Sequence, residues 1–382
     1  MLLRRFGRGM IAPAAAAVAA LVISAVALLL SGNNPFTAFN EMWGNINDAE
    51  SIVLIINRAV PYYVAGVAVA IGFKMNLFNI GANGQYLLAA LVAAWAGAQV
   101  SLPAPLHVVF ILAVAMIVGG AWASIAAILK VTRNVNEVIS TIMLNFIATG
   151  IVAFLLSEPF REPDSTSLVA ETETLPTSAR LPTLDGLVEW TGIDFGNAEL
   201  LGFLPFAIAL GIAYHLLLNR SRFGYELRLS GANPNAARTS GVNPKAMILK
   251  TLILSGAVAG LVGTHFLLAD PQFHKYGDQF PRMLGFTGLS LALLGRNHPV
   301  GVAAAAAVWA TIERGTQPLS IIGIPQEIGI IMQGAFLLSA IIAYEVVRRR
   351  NDAATAAAAA KAVHHPPPSS PPGDSESAEV RS

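Results

Sequence analysis

Between Gly72 and Gln85 the chain reads G-F-K-M-N-L-F-N-I-G-A-N-G-Q, which gathers Asn76, Asn79, Asn83 and Gln85 into one glycine-rich stretch between apolar runs. Side-chain amides supply donors and acceptors without net charge. Such a set suits a neutral polar solute, a sugar or a nucleoside, and offers no counter-charge to an ion. An ordinary turn with helix caps fits the same residues, and chemistry alone weighs the two readings equally. If the stretch dips into a membrane it must face protein or water, because unpaired amides in hydrocarbon cost several kcal/mol each. Phe78 is the aromatic best placed to stack on a solute ring. Trp95, Trp122 and Trp309 read as packing or interfacial residues.

Single polar groups elsewhere carry two readings each. Arg58 sits inside an apolar run, where a charge is costly and a functional candidate, yet it is close enough to the run's end to snorkel. Glu137 opens an apolar run, where negative charge favours a helix N-terminus; a solute contact is the other reading. Asn145 lies roughly 12 Å further along that helix, either bonding a neighbouring helix or facing a pathway, and Gln333 has the same two options. His265, His274 and His298 show no metal-like spacing, and His364 and His365 lie in the tail.

Several chemistries are excluded. The chain has no cysteine, which removes disulfides and thiol catalysis. None of Lys74, Lys130, Lys245, Lys250, Lys275 and Lys361 follows a glycine, so there is no G-x-x-x-x-G-K-[ST] phosphate loop. ATP-driven work therefore needs a second polypeptide, and this chain is expected to bind no cofactor. Glu41, Glu137, Glu313 and Glu345 all lie at or outside run ends, which leaves a stand-alone ion-coupled transporter without a mid-membrane carboxylate. No nucleophile–base pair supports a membrane enzyme, and a net charge of +1 gives no case for nucleic acid.

The elements that position these groups are apolar throughout. Of 382 residues 54% are hydrophobic and 12% charged, against about 25% charged in a typical soluble protein, and mean hydropathy is +0.59. The chain therefore reads as an all-α polytopic membrane protein. Apolar runs near 10–30, 52–72, 84–100, 106–129, 137–157, 199–218, 247–269, 283–295, 299–314 and 326–347 make about ten spans, at roughly 20 residues per span. The first is read as a retained helix rather than a signal peptide. The short runs around Gly295-Arg296-Asn297-His298-Pro299 suggest broken helices lining a pathway. The 78–85 and 285–290 segments occupy corresponding places in two internal repeats, which adds Thr287 to the pathway candidates Phe78, Asn79, Asn83, Gln85 and Asn145.

Orientation follows from the basic turns. Arg4, Arg5 and Arg8, Lys130 and Arg133, Arg220 to Lys245, Arg296, and Arg348 to Arg350 fall on one side of ten alternating spans, so both termini are expected in the cytoplasm. The long loop at 158–198 falls outside; it is acidic through Glu158, Glu162, Asp164, Glu171, Glu173, Asp185, Glu189 and Asp194. A membrane domain is expected over 1–350, and 351–382, Ala-rich and then rich in Pro and Ser, as a disordered cytoplasmic tail.

Between the sixth and seventh spans the punctuation is dense. Asn233-Pro234 starts a helix, Asn capping free amides and Pro fitting the first turn. Gly241 closes it in the left-handed region, and Asn243-Pro244 starts the next. A short cytoplasmic helix at 234–240 results.

Three stretches resemble nucleoside-type permeases of ABC importers, a group that includes ribose and branched-chain amino acid permeases. F-N-I-G-A-N-G-Q at 78–85 is similar to the family's F-N-I-G-A-E-G-Q, with Asn83 where Glu is usual. N-E-V-I-S-T-I-M-L-N at 136–145 is similar to N-E-V-I-x-T-x-M-L-N. L-A-L-L-G-R at 291–296 followed by Pro299 is similar to A-L-L-G-R-x-x-P. The short helix through Asn235, Ala236, Ala237, Arg238 and Gly241 resembles the E-A-A-x-x-x-G coupling motif, with Asn235 replacing Glu. The likeness runs from about 50 to 347. It implies a multi-pass permease subunit in a bacterial plasma membrane, importing nucleosides with a second permease chain, identical or different, a cytoplasmic ATP-binding subunit and an extracytoplasmic solute-binding lipoprotein. ATP would bind the partner, and Ala236 and Ala237 would dock into it. The same machinery for ribose or a branched-chain amino acid is the alternative; an amino acid would find no charged partner in the central segments.

Overall fold

The computed structural model describes residues 2–162, 169–186, 190, 192 and 196–364. Among these there is no strand, only an isolated bridge between Glu171 and Gly277. The apolar runs emerge as helices: α1 (Leu2–Leu30), α3 (Ala49–Phe73), α4 (Ala82–Ala98), α5 (Ala104–Arg133), α6 (Glu137–Ser157), α7 (Leu204–Arg220), α10 (Pro244–Gly260) with α11 (Thr264–Leu268), α12 (Leu284–Leu294), α13 (Pro299–Thr316) and α14 (Glu327–His364).

Differences from expectation have local causes. A further helix, α2 (Pro35–Gly44), turns by 120° from α1; Asn34 accepts from the Phe36 amide and Pro35 opens the helix. Another, α8 (Arg222–Ala232), is too polar to register as a span and is capped by Ser221, which accepts from Gly224. The run at 247–269 breaks between α10 and α11, where the amides of Leu261, Val262 and Thr264 reach back only three residues. Residues 351–364, expected within an unstructured tail, continue α14, as an Ala-rich run favours. The rest of that tail, and Asp164, Glu189 and Asp194, lie outside the described residues.

By length and apolar composition five segments can cross a membrane: Ala49–Phe73, Ala104–Arg133, Glu137–Ser157, Pro244–Leu268 and Glu327–Arg350. The bent pair of α1 and α2 makes a sixth if it counts as one span. Helices α4 and α7 have 17 residues each and α12 has 11, short of the roughly 20 a full span needs.

The core sits where α3, α4, α5, α10 and α12 meet. Small residues let the backbones approach. A Cβ on Gly256 of α10 would lie 2.6 Å from the Gly119 carbonyl of α5, and one on Gly84 of α4 would lie 2.8 Å from Ala148 Cβ of α6. The acidic loop folds back over one end of the bundle. The amides of Thr172 and Leu175 donate to the carbonyls of Tyr276 and His274 at 2.9 and 2.8 Å, and Lys275 pairs with Glu171.

Candidate solute pathway and coupling surface

After α3 the chain reverses through a tight turn and re-enters as α4. Asn76 takes a left-handed φ of 56°, a conformation Asn tolerates better than most residues. Its Nδ2 donates to the Gly231 carbonyl of α8 at 2.8 Å, tying the turn to the basic loop. Gly72 is required here, since a Cβ would stand 2.8 Å from the Leu77 carbonyl.

Asn79 and Gln85 then form a reciprocal amide pair. Asn79 Nδ2 donates to Gln85 Oε1 at 2.8 Å, and Gln85 Nε2 donates to Asn79 Oδ1 at 2.9 Å. Asn79 also donates to Ser255 Oγ of α10 at 2.9 Å, and Ser255 in turn donates to the Ala68 carbonyl of α3 at 2.7 Å. Asn79, Gln85 and Ser255 are buried. A buried amide without partners would be costly, so the pair and its serine bolt the turn to two helices.

Asn145 completes the frame from α6. The first turn of α4 has no side-chain cap of its own at Gly81. Instead the Gly84 amide donates to Asn145 Oδ1 at 2.8 Å, and Asn145 Nδ2 donates to the Ile80 carbonyl at 2.9 Å. One side chain thus satisfies a free donor and a free acceptor of the broken segment. Of the two readings of Asn145, the geometry shows the interhelical one.

Three expected residues stay outside this network. Asn83 is buried, yet its Oδ1 has no partner. Phe78 is 44% exposed, its ring edge-on to Phe73 at 5.0 Å. Thr287, half-buried on α12, bonds only its own helix, donating to the Met283 carbonyl. The 78–85 and 285–290 segments lie against each other: Gly285 packs on the Asn83 backbone with no room for a Cβ, and Gly288 packs against the Ala65 carbonyl of α3.

At the end of the bundle beneath the acidic loop lies a cavity of about 500 Å³, reached by Arg58, Asp270, His265 and Glu313. Arg58 does not simply snorkel: it pairs with Glu313 of α13 at 2.6 Å, and the Tyr62 hydroxyl donates to the same carboxylate. This clasp joins two helices more than 250 residues apart in sequence, which spacing could not reveal. His265 is buried with Nδ1 unpartnered. Burial raises the Asp270 carboxyl above its ordinary pKa despite the Gln272 amide it accepts. At the opposite end Glu137 pairs with Lys130 at 2.7 Å. Among the described residues no group of His, Asp and Glu could hold a metal.

The loop between α7 and α10 holds the short helix α9 (Pro234–Thr239). Asn233 Oδ1 accepts from Asn235 and Ala236, and Gly241 follows at φ 79°, both as the residues suggest. One expectation is corrected. Ala237 is completely buried within its own chain, because a helix this short turns one face onto α8 and α10. Its side chain is therefore not on the surface that α9 presents in this chain. The exposed face carries Asn235, Arg238 and Thr239, with Ala236 half-buried at its edge.

Comparison with known proteins agrees with this architecture. Residues 51–341 match the family described as branched-chain amino acid transport system / permease component. The chain is 30% identical to the guanosine ABC transporter permease protein NupP of Bacillus subtilis, over 88% of this chain and 94% of that protein. It is 31% identical to the glucose ABC transporter permease protein TsgB13 of Haloferax volcanii, over 85% of each. It is 26% identical to the nucleoside ABC transporter permease protein NupB of Lactococcus lactis, over 86% of this chain and 90% of that protein. With three quarters of its length matched and relatives aligned nearly end to end, the chain belongs to this family of ABC-transporter permease components.

Proposed function

We propose that this chain is the permease subunit of a bacterial plasma-membrane ABC importer for nucleosides, powered by ATP on a separate cytoplasmic subunit. The observation that carries the reading is the pair of neutral amides Asn79 and Gln85, buried where the returning chain meets α10, in a chain similar over most of its length to a guanosine permease. A second permease chain and an extracytoplasmic solute-binding lipoprotein complete the assembly. Ten segments enter or cross the membrane, α10 and α11 counting as one, α2, α8 and α9 lie along it, and both termini are cytoplasmic. The basic turns at Lys130, Arg228 and Arg296 support that orientation. Because the chain has no native cysteine, single cysteines at Thr239 and Gln272 test it: impermeant maleimide should label the first only from inside and the second only from outside.

Within the turn, Asn79, Gln85 and Asn145 serve as frame, since their amides are engaged inside the protein. Phe78, Asn83 and Thr287 meet the solute, the buried and unpartnered Asn83 Oδ1 accepting a hydrogen bond from a solute hydroxyl when the packed segments part. A net hydrogen bond is worth about 0.5–1.5 kcal/mol, weak enough for release. The exposed face of α9, through Asn235 and Arg238, contacts the ATPase. Glucose is the second reading, favoured by the similarity to TsgB13. Uptake of labelled guanosine and glucose into proteoliposomes holding the assembled transporter decides between them. ATP-dependent guanosine uptake that excess glucose does not reduce supports the nucleoside reading. Uptake driven by an ion gradient without nucleotide overturns the importer reading altogether.

A further inference from the structure

At the basic end of the bundle α1, α13 and α14 enclose a cavity of about 600 Å³. Its rim carries Lys74, at the end of α3, and Arg296, in the turn between α12 and α13; its wall is apolar, with Val308, Phe336, Ala340 and Tyr344. Phe336, Ala340 and Tyr344 are spaced by four and so share one face of α14. Val308 lies roughly 13 Å along the axis from Pro299. The cavity therefore runs from a cationic mouth at the helix ends into the apolar depth between helices. The guanidinium carbon of Arg296 lies 5.1 Å from the Tyr344 ring centroid, which places the charge at the top of the apolar wall.

The mouth has cations and no counter-ion. Among the described residues neither Lys74 nor Arg296 pairs with an acidic side chain. Burial, and then the charges of Arg228 and Arg296, push the Lys74 ammonium below its ordinary pKa. Converging unpaired cations repel one another, and an anion between them would relieve that repulsion.

We propose that this cavity binds an anionic phospholipid, its phosphate between Lys74 and Arg296 and an acyl chain along Val308, Phe336 and Ala340. Basic pockets between membrane helices at the cytoplasmic side are a general means of holding such headgroups. A free phosphate would satisfy the rim and leave the apolar wall empty. An acidic protein partner would not reach down between membrane helices.

The test uses the full chain, delipidated in neutral detergent, with lipid binding and thermal unfolding as readouts. The probes are phosphatidylglycerol, phosphatidylcholine and glycerol phosphate. Phosphatidylglycerol alone should bind and raise the unfolding temperature. At about 1 kcal/mol per basic residue and 1.4 kcal/mol per tenfold, Lys74→Gln/Arg296→Gln should bind it roughly 30-fold more weakly. Ala340→Trp, which fills the wall and keeps both charges, should also lose binding. Equal effects of the two lipids, an equal effect of glycerol phosphate, or wild-type affinity in the double variant each overturn the proposal. If the double variant does not fold, the three probes on the wild-type chain and the Ala340→Trp variant still decide. Lipid affinity is read without transport, so failure here leaves the import reading standing, and failure of import leaves this one.

Discussion

The reciprocal amide pair allows a quantitative test. Replacing Asn79 by Leu leaves Gln85 Oε1 and Nε2 without the bonds of 2.8 and 2.9 Å they now make. A stranded buried polar group costs about 1–3 kcal/mol, so Asn79→Leu should destabilise by roughly 2–6 kcal/mol. Gln85→Met strands Asn79 Oδ1 but leaves the Asn79 bond to Ser255 at 2.9 Å, a loss of about 1–3 kcal/mol. The double variant strands little, because Ser255 keeps its donation to the Ala68 carbonyl. Contacting pairs are where additivity fails, and here the double variant should be more stable than Asn79→Leu alone. The assay is thermal unfolding of the purified permease in detergent for all four members of the cycle, at matched membrane expression. If the two losses simply add, or if Asn79→Leu unfolds at the wild-type temperature, the pair is not a buried structural bond. If stability is unchanged while uptake is lost, the amides face the solute after all.

Other outcomes follow from burial and charge. Ala237→Trp should prevent stable accumulation of the protein in the membrane, whereas Arg238→Glu should insert normally and lose ATPase co-purification; the reverse pattern would put Ala237 at the interface. Breaking the partly exposed Arg58–Glu313 pair by Glu313→Gln should cost about 1 kcal/mol once solvent screening is allowed for, read as a small drop in unfolding temperature that Arg58→Gln/Glu313→Gln partly restores. The Asp270 carboxyl, raised by burial, binds protons more tightly folded than unfolded, so its contribution is full below the unfolded pKa and is lost as pH rises through the folded one. Asp270→Asn should therefore be more stable than wild type at neutral pH, with the difference vanishing in acid; an equal difference at both pH values would show that charge is not the cause.

Local signals were readable and tertiary ones were not. Apolar runs became helices because length and hydropathy are properties of one segment. Asn233-Pro234, Gly241 and Asn243-Pro244 set helix ends as expected, because capping acts within a few residues. The polar helix α8 and the bent α2 escaped notice because neither is long enough or apolar enough to stand out as a span. Arg58 and Asn145 each carried two readings because their partners lie 255 and 61 or 65 residues away. Ala237 was placed on the docking face because a six-residue helix has too few positions to show which side is inward.

The central turn shows how this limit bears on function. Asn79 and Gln85 carry donors and acceptors that a nucleoside could use, and residue type alone cannot say whether solute or protein uses them. Their spacing of six brings them together only because Gly72 permits the reversal after α3 and Asn145 holds the return into α4. Once those bonds are made, the Asn79 and Gln85 amides of the motif are engaged with each other and with Ser255. On the proposed nucleoside reading the polar group of this segment left for a solute is Asn83, which stands where the resembling motif has Glu and whose Oδ1 has no partner. A carboxylate at that position would place a charge beside Gly285, where the two segments pack together, and desolvating it would cost several kcal/mol. An amide there keeps the site uncharged, in keeping with the proposed neutral solute. Asn83→Asp should accordingly slow guanosine uptake more at neutral pH than in mild acid, where the carboxyl is protonated; a pH-independent loss would point to shape rather than charge.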